Sequence, residues 1–201
     1  MEYEKNVFIN CPFDEEYQPL LRVLLFTICS CGYFPRIALE SFDSSENRLN
    51  KIQKLIRDSK YSIHDISRDK AKKKGEPYRL NMPFEIGIDF GCKNFGESKH
   101  HQKVMLILSS KAYDYQKALS DLAGIDIAVH QEDSEKLTRC VRNWFYQFDN
   151  KPTNLPQASN IWEKYNDFCA YLYKELNEKD VNNMPVGEFI DKSILYIKQN
   201  S

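Results

Sequence analysis

Short apolar runs alternate with longer amphipathic stretches along residues 1–150 of the chain. This alternation is typical of strands followed by helices in βαβ units, whose strands assemble into a parallel sheet. We therefore predict one α/β domain over residues 1–150. Its five predicted strands cover residues 5–10, 34–39, 61–66, 104–108 and 125–130.

The composition of two of these strands predicts their place in the sheet. Residues 104–108 are entirely apolar, which favours a central strand, because a strand covered on both faces is apolar at every position. Residues 125–130 alternate with polar side chains and are expected nearer an edge.

Capping residues predict where the helices between the strands begin. Asp14 is a candidate N-cap for the first helix, and Gly32 would end that helix. The segment 43–46, Asp-Ser-Ser-Glu, resembles a capping box before the second helix. A final helix over residues 134–148 closes the domain.

The composition changes after Asn150 to a linker-like stretch with two prolines, Pro152 and Pro156. Apolar residues at helical spacing over 161–176 and 189–197 then predict two helices. We thus predict a helical extension over residues 151–201. It either packs on the α/β domain, which aromatic stripes at helical spacing favour, or serves to assemble copies or hold a partner.

The overall charge is nearly balanced, with 28 Lys and Arg against 29 Asp and Glu, so we expect neither nucleic acid nor a membrane surface as partner. No signal peptide or apolar run of transmembrane length is visible, and a cytoplasmic location is expected. The six cysteines lack the spacing of a zinc site, so no metal is predicted. Cys29 and Cys31 are expected to be packed free thiols.

Parallel strands end at one edge of a sheet, so the residues just past each strand converge there. Each is a common turn or cap residue by itself, and only their convergence indicates a site. These residues are Asn10, Cys11 and Asp14, then Glu40, Ser41 and Asp43, then Asp65, Ser67 and Arg68, then Ser109 and Ser110.

Glu85 is the carboxylate with the most unusual surroundings. Asn81 is the predicted N-cap of its helix and Pro83 fits the first turn, which places Glu85 about one turn into the helix. A simple first-turn carboxylate would only stabilise the helix dipole, but Phe84 and Ile86 give Glu85 apolar neighbours. Burial would raise its pKa and helix amides would lower it, and the sequence leaves that balance open.

The segment between Ser67 and Leu80 carries six Lys and Arg against two acidic residues. It is either a solvated loop or a lid for a phosphate-bearing ligand. No glycine-rich phosphate loop is present, which disfavours nucleotide binding of the dehydrogenase or NTPase kind. The four histidines are scattered and show no Ser/His/Asp or zinc pattern, so hydrolysis by those means is disfavoured.

Five segments together resemble a group of bacterial Toll/interleukin-receptor-like (TIR-like) proteins, which is itself similar to nucleoside 2-deoxyribosyltransferases. The resemblance covers about residues 5–130. The segments are Val-Phe-Ile-Asn-Cys-Pro-Phe-Asp at 7–14, Phe-Pro-Arg-Ile-Ala-Leu-Glu at 34–40, Arg-Leu-x-Lys-Ile at 48–52, His-Asp-Ile-Ser-Arg at 64–68 and Asn-Met-Pro-Phe-Glu-Ile-Gly at 81–87.

The resemblance implies a flavodoxin-like, three-layer fold in which Glu85 acts at the anomeric carbon of a ribose. It implies NAD as substrate, with no separate cofactor, a role in antiphage defence, and activation by self-association or by a partner protein. Arg68 would hold the pyrophosphate. The other expected substrate contacts are Asn10, Asp14, Asp43 and Asn81.

Three functions follow as hypotheses from these expectations. The first is hydrolysis of the N-glycosidic bond of NAD or a related nucleotide, with release of nicotinamide and formation of ADP-ribose or a cyclic form of it. The second is base exchange between nucleosides or nucleotides. The third is a non-catalytic module that binds a nucleotide signal or another TIR-like protein.

Overall fold

A computed structural model describes residues 3–67, 80–112, 119–122, 124–148 and 154–200 of the 201-residue chain. Five strands form one parallel sheet in the order β2-β1-β3-β4-β5. The strands are β1 Asn6–Asn10, β2 Phe34–Ile37, β3 Tyr61–Asp65, β4 Val104–Ser109 and β5 Ala128–Val129. This strand order is that of the flavodoxin-like α/β fold, so the predicted fold class is confirmed.

Seven α-helices accompany the sheet in the described part of the chain. They are α1 Gln18–Ser30, α2 Arg48–Arg57, α3 Asn81–Phe95, α4 Ser134–Phe148, α5 Ala158–Glu175, α6 Glu178–Asn182 and α7 Val186–Gln199. The bounds of α4 are those predicted, and Gly32, with φ of +81°, follows the end of α1 as expected.

The middle of the sheet is β3 and not β4, which lies second from the edge. The apolar character of β4 therefore indicated an interior strand but not the central one. The central strand instead buries the polar residues Ser62, His64 and Asp65, each 0 % exposed. The edge position expected for the fifth strand is confirmed by β5.

Helices cover both faces of the sheet. Phe8 packs with Ile52 and Ile56 of α2 on one face, where α3 also contacts the sheet. Val7 and Ile9 point to the opposite face and join a larger core with α1 and α4. This alternation follows from the two-residue period of a strand.

The C-terminal helices α5 and α7 share that larger core. Both contact α1, and α5 also contacts α4. Phe168 of α5 stacks on Phe26 of α1 with ring centroids 5.2 Å apart, and neither side chain is exposed. The helices α5 and α7 therefore complete the apolar cover of α1.

Three predicted N-cap residues do not cap their helices, and Asp14 and Asp43 instead cap turns, because side-chain oxygens cap turns as readily as helices. Asp14 Oδ1 accepts a hydrogen bond from Tyr17 N at 3.0 Å, and α1 begins only at Gln18. Asp43 similarly caps a turn, whereas Asn47 caps α2 through the N–H groups of Leu49 and Asn50. Helix α3 begins at Asn81 itself, with Leu80 as its cap residue.

All six cysteines are free thiols, and the predicted burial of Cys29 and Cys31 is confirmed. Among the described residues, no helix combines the length and apolar character required to cross a bilayer.

Candidate functional site

The chain reverses its direction of travel across the sheet at β1, since β2 lies on one side of this strand and β3 on the other. Such a reversal leaves a crevice at the carboxyl ends of β1 and β3, and α/β proteins bind ligands at such crevices. The first turn of α3 closes one side of the crevice, because Asn10 Nδ2 at the end of β1 donates a hydrogen bond to the Met82 carbonyl at 3.0 Å.

Glu85 lies on the buried face of α3, together with Met82, Ile86 and Asp89. Glu85 is 6 % exposed, and burial raises the pKa of its carboxyl from 4.5 to about 7. Within the described ranges, no donor forms a hydrogen bond with this carboxylate. The effect of burial on the pKa of Glu85 is therefore larger than any effect that lowers it, which the sequence alone left open. Glu85 can change its protonation state near neutral pH.

Arg48 is the cation that acts on Glu85. It is the first residue of α2, it is exposed, and its guanidinium lies 5.9 Å from the ring centroid of Phe13. Its positive charge lowers the pKa of Glu85, against the larger effect of burial. Arg48 was not among the predicted site residues. Its position at the start of the helix after β2, and thus at the same rim, is the signal that could have identified it.

Cys11 follows β1 and lies close enough to Glu85 for the Glu85 charge to act on its thiol. The thiol is fully buried, and its pKa is raised well above the ordinary value by that burial and then by the charges of Asp65, Glu85 and Asp14. Cys11 is accordingly a packed, unreactive thiol. Glu85 and Asp14 thus place negative charge near the carboxyl end of β1, which favours a ligand with positive charge.

A second buried network lies one helical turn deeper. Asp89 Oδ2 is 3.0 Å from His64 Nε2, and Asp89 Oδ1 is 3.1 Å from Lys103 Nζ. All three side chains are fully buried. Burial alone would raise the pKa of Asp89, but His64 and Lys103 together hold it below its ordinary value. The network connects α3 to β3 and to Lys103, the residue that precedes β4.

Asn10 completes this network and is not placed to touch a ligand directly. The residue is 1 % exposed, and its amide nitrogen donates to both His64 Nδ1, at 3.1 Å, and the Met82 carbonyl. In this arrangement Asn10 has a positioning role, because it fixes the first turn of α3 and with it Glu85. The buried register of β1 against β3, which the sequence alone did not reveal, is the physical reason.

On the other face of the sheet, Asp65 gathers a third set of polar side chains. Tyr17 donates to Asp65 Oδ2, Ser67 donates to Asp65 Oδ1, and His130 Nε2 lies 3.0 Å from Asp65 Oδ2. Burial would raise the pKa of Asp65, but these partners, His130 foremost, hold it below its ordinary value. The sequence showed no Ser/His/Asp pattern because β4 and β5 separate these residues along the chain.

The Ser67, His130 and Asp65 arrangement does not form a catalytic triad. His130 Nδ1 accepts a hydrogen bond from Glu132 N at 3.0 Å, so Nε2 carries the proton. Ser67 Oγ and Asp65 Oδ2 both lie 3.0 Å from that same Nε2. A base for Ser67 would need an unprotonated Nε2, with the carboxylate at the other ring nitrogen. The cluster is therefore structural and holds the carboxyl end of β3.

The remaining predicted site residues have separate places. Asp14 is half-buried, and its negative charge acts on the Cys11 thiol. Asn81 is exposed in the first turn of α3, one turn before Glu85. Asp43 is fully exposed and its carboxylate is engaged by Ser45, which lowers its pKa. Arg68 and the basic loop over residues 68–79 lie outside the described residues.

No group of three or more His, Cys, Asp or Glu side chains in the described ranges is arranged to hold a metal ion. In comparisons with known proteins, no protein-family model matches the chain and no curated protein matches it. The site geometry and the TIR-like resemblance of the sequence are thus the grounds on which a function is proposed.

Proposed function

We propose that the protein cleaves the N-glycosidic bond of NAD or a related nucleotide, with Glu85 acting at the anomeric carbon of the ribose. The observation that carries this proposal is the Glu85 carboxyl itself. It is buried at the carboxyl ends of β1 and β3, its pKa is raised to about 7, and no hydrogen-bond donor in the described part of the chain satisfies it. A buried carboxylate without a structural partner costs stability, and such costs are typical of functional groups.

Bond cleavage in NAD suits an ionised Glu85. The C1′–N bond breaks with its electron pair moving to the ring nitrogen, so the pyridinium leaves as neutral nicotinamide and requires no proton. The ribose develops oxocarbenium character, which a carboxylate beside the sugar stabilises. Water then adds at C1′ and releases a proton to solvent. The cationic nicotinamide ring would itself lower the pKa of Glu85 and favour this ionised form.

The raised pKa also supports a second candidate, base exchange on a neutral nucleoside. A purine or pyrimidine leaves far more readily when it is protonated, and a carboxyl with a pKa of about 7 is half protonated at neutral pH. In this reaction Glu85 would act as the general acid, and an added free base would compete with water for the ribosyl group.

The pH dependence of turnover distinguishes the two reactions. If an ionised Glu85 stabilises the oxocarbenium, kcat/KM rises with pH up to the pKa of Glu85 and then levels off. If Glu85 protonates a leaving base, kcat/KM falls as pH increases through about 7. The assay follows free nicotinamide from NAD, and free base from deoxynucleosides, by chromatography.

The proposal predicts nicotinamide release from NAD by the full-length protein, tested over a range of protein concentrations so that self-association is sampled. Calorimetric binding of NAD without release of nicotinamide or any other base would support the non-catalytic module. Transfer of the ribosyl group to an added base in preference to water would support the base-exchange reaction.

A further inference from the structure

A cavity of about 790 Å³ opens between the start of α1 and the C-terminal helices. Its apolar lining includes Leu39, Leu172, Met184 and Phe189, and its charged lining residues are Arg22 and Glu15. Glu85 does not line it. The volume is within the range of about 300–1,000 Å³ typical of small-molecule sites.

Among the residues that the structure describes, neutral groups hold Arg22 in this cavity. Its Nη2 donates to the Val181 carbonyl at 2.5 Å and to the Asn182 carbonyl at 3.3 Å, and its guanidinium lies 5.4 Å from the ring centroid of Phe189. No carboxylate in the described ranges forms an ion pair with Arg22. The side chain is thus fixed in place, while no described residue supplies a counter-ion for its charge.

An immobilised guanidinium beside an apolar wall selects for a ligand with two parts. Its anionic group pairs with Arg22, and its apolar body covers the surface formed by Leu172, Met184 and Phe189. The second charged lining residue, Glu15, is exposed and repels an anion, so the anionic group is directed to Arg22.

We propose that this cavity is a binding site for a small organic anion with an apolar body. The site is separate from the crevice at Glu85, and the proposal does not depend on the nucleotide-cleaving function. A protein that lacks NAD turnover would still bind such an anion here.

Two fluorescent probes with the same aromatic body test the proposal on the full chain. 8-Anilinonaphthalene-1-sulfonate is anionic, and N-phenyl-1-naphthylamine lacks the sulfonate. Both are expected to bind, and the anion is expected to bind more tightly. In Met184→Trp, a larger side chain occupies part of the cavity at its apolar wall and both probes are expected to lose affinity, while the melting temperature confirms that the variant is folded.

Charge is tested by a matched pair of substitutions. Arg22→Gln is expected to weaken binding of the anionic probe about tenfold and to leave the neutral probe unchanged. Glu15→Gln removes one negative charge and is expected not to weaken binding of the anionic probe. If Arg22→Gln abolishes binding of both probes, the Arg22→Lys variant is measured next. Binding of the anionic probe to Arg22→Lys supports the proposal, and loss of that binding contradicts it.

Equal effects of Arg22→Gln and Glu15→Gln on the anionic probe would overturn the proposal, because binding would then not depend on the guanidinium. Undiminished binding of both probes to folded Met184→Trp would also overturn it, because the probes would then bind elsewhere.

Discussion

Glu85 and Asp89 lie one helical turn apart on the buried face of α3, yet their pKa values move in opposite directions. Burial raises the pKa of Glu85 to about 7, and Arg48, the one opposing charge among the described residues, lowers it by less. Burial acts on Asp89 as well, but the contacts with His64 and Lys103 outweigh it and lower the pKa. The partners of Asp89 anchor the helix, whereas Glu85 has the raised pKa on which the proposed function depends.

Replacing Glu85 by Gln is predicted to stabilise the fold in a pH-dependent way. The folded state binds the Glu85 proton more tightly than the unfolded state, so this group lowers stability progressively as pH rises from about 4.5 to about 7. Glu85→Gln removes that loss. Its stability gain over the wild type grows across this window and levels off above it, at about 3 kcal/mol.

Urea unfolding between pH 5 and pH 8.5 measures this difference. Glu163→Gln, the same change at an exposed position on α5, serves as the control and should show no such trend. A Glu85→Gln variant less stable than the wild type at every pH would show that Glu85 is a structural first-turn residue.

Removing the charge of Arg48 is predicted to raise the pKa of Glu85 further, since Arg48 lowers it in the wild type. The expected result of Arg48→Gln is an upward shift in the midpoint of the Glu85 carboxyl titration, followed by ¹³C NMR. Arg57→Gln, at the opposite end of α2, is the matched control. An unchanged midpoint in Arg48→Gln would place Arg48 away from the crevice in solution.

Removing the buried cation Lys103 is predicted to be strongly destabilising. Lys103→Met leaves the Asp89 carboxylate fully buried without its 3.1 Å partner, at a cost of about 3–5 kcal/mol. The double variant Lys103→Met/Asp89→Asn should recover part of this loss, because the amide is neutral and still accepts from His64. Chemical unfolding provides the measurement, with the exposed Lys54→Met as control. A double variant no more stable than Lys103→Met would contradict the claim that Lys103 stabilises the buried Asp89 carboxylate.

The hydrogen-bond networks predict the same tautomer for two histidines. His64 Nδ1 accepts from Asn10 and His130 Nδ1 accepts from Glu132 N, so both rings carry their proton on Nε2. Long-range ¹H–¹⁵N NMR at neutral pH distinguishes the tautomers by the two nitrogen shifts. If His130 instead carried its proton on Nδ1, its Nε2 would be free to accept a proton from Ser67, which the present arrangement excludes.

The fold could be predicted from the sequence because short segments bounded by turn residues alternate with longer amphipathic stretches, and α4 has a clear helical period. The starts of α1 and α2 could not, because Asp14 and Asp43 bind turn amides by the same geometry that an N-cap uses. The position of Glu85 one turn into α3 was predictable from Pro83.

The neighbours of Glu85 were less predictable than its position. Arg48 reaches the crevice from another βα connection, and the contact of His64 with Asp89 joins residues 25 positions apart. Only the register of the sheet and the packing of α3 bring such pairs together. Asn10 was accordingly predicted to contact a ligand, although it lies beneath the rim.

The catalytic role of Glu85 is tested most directly by the rate of nicotinamide release from NAD, compared between wild type, Glu85→Gln and the control Glu163→Gln under identical conditions. We expect release by the wild type and the control, and a loss of at least about 100-fold in kcat/KM for Glu85→Gln while that variant remains folded. Equal release by wild type and Glu85→Gln would contradict the role assigned to this carboxylate.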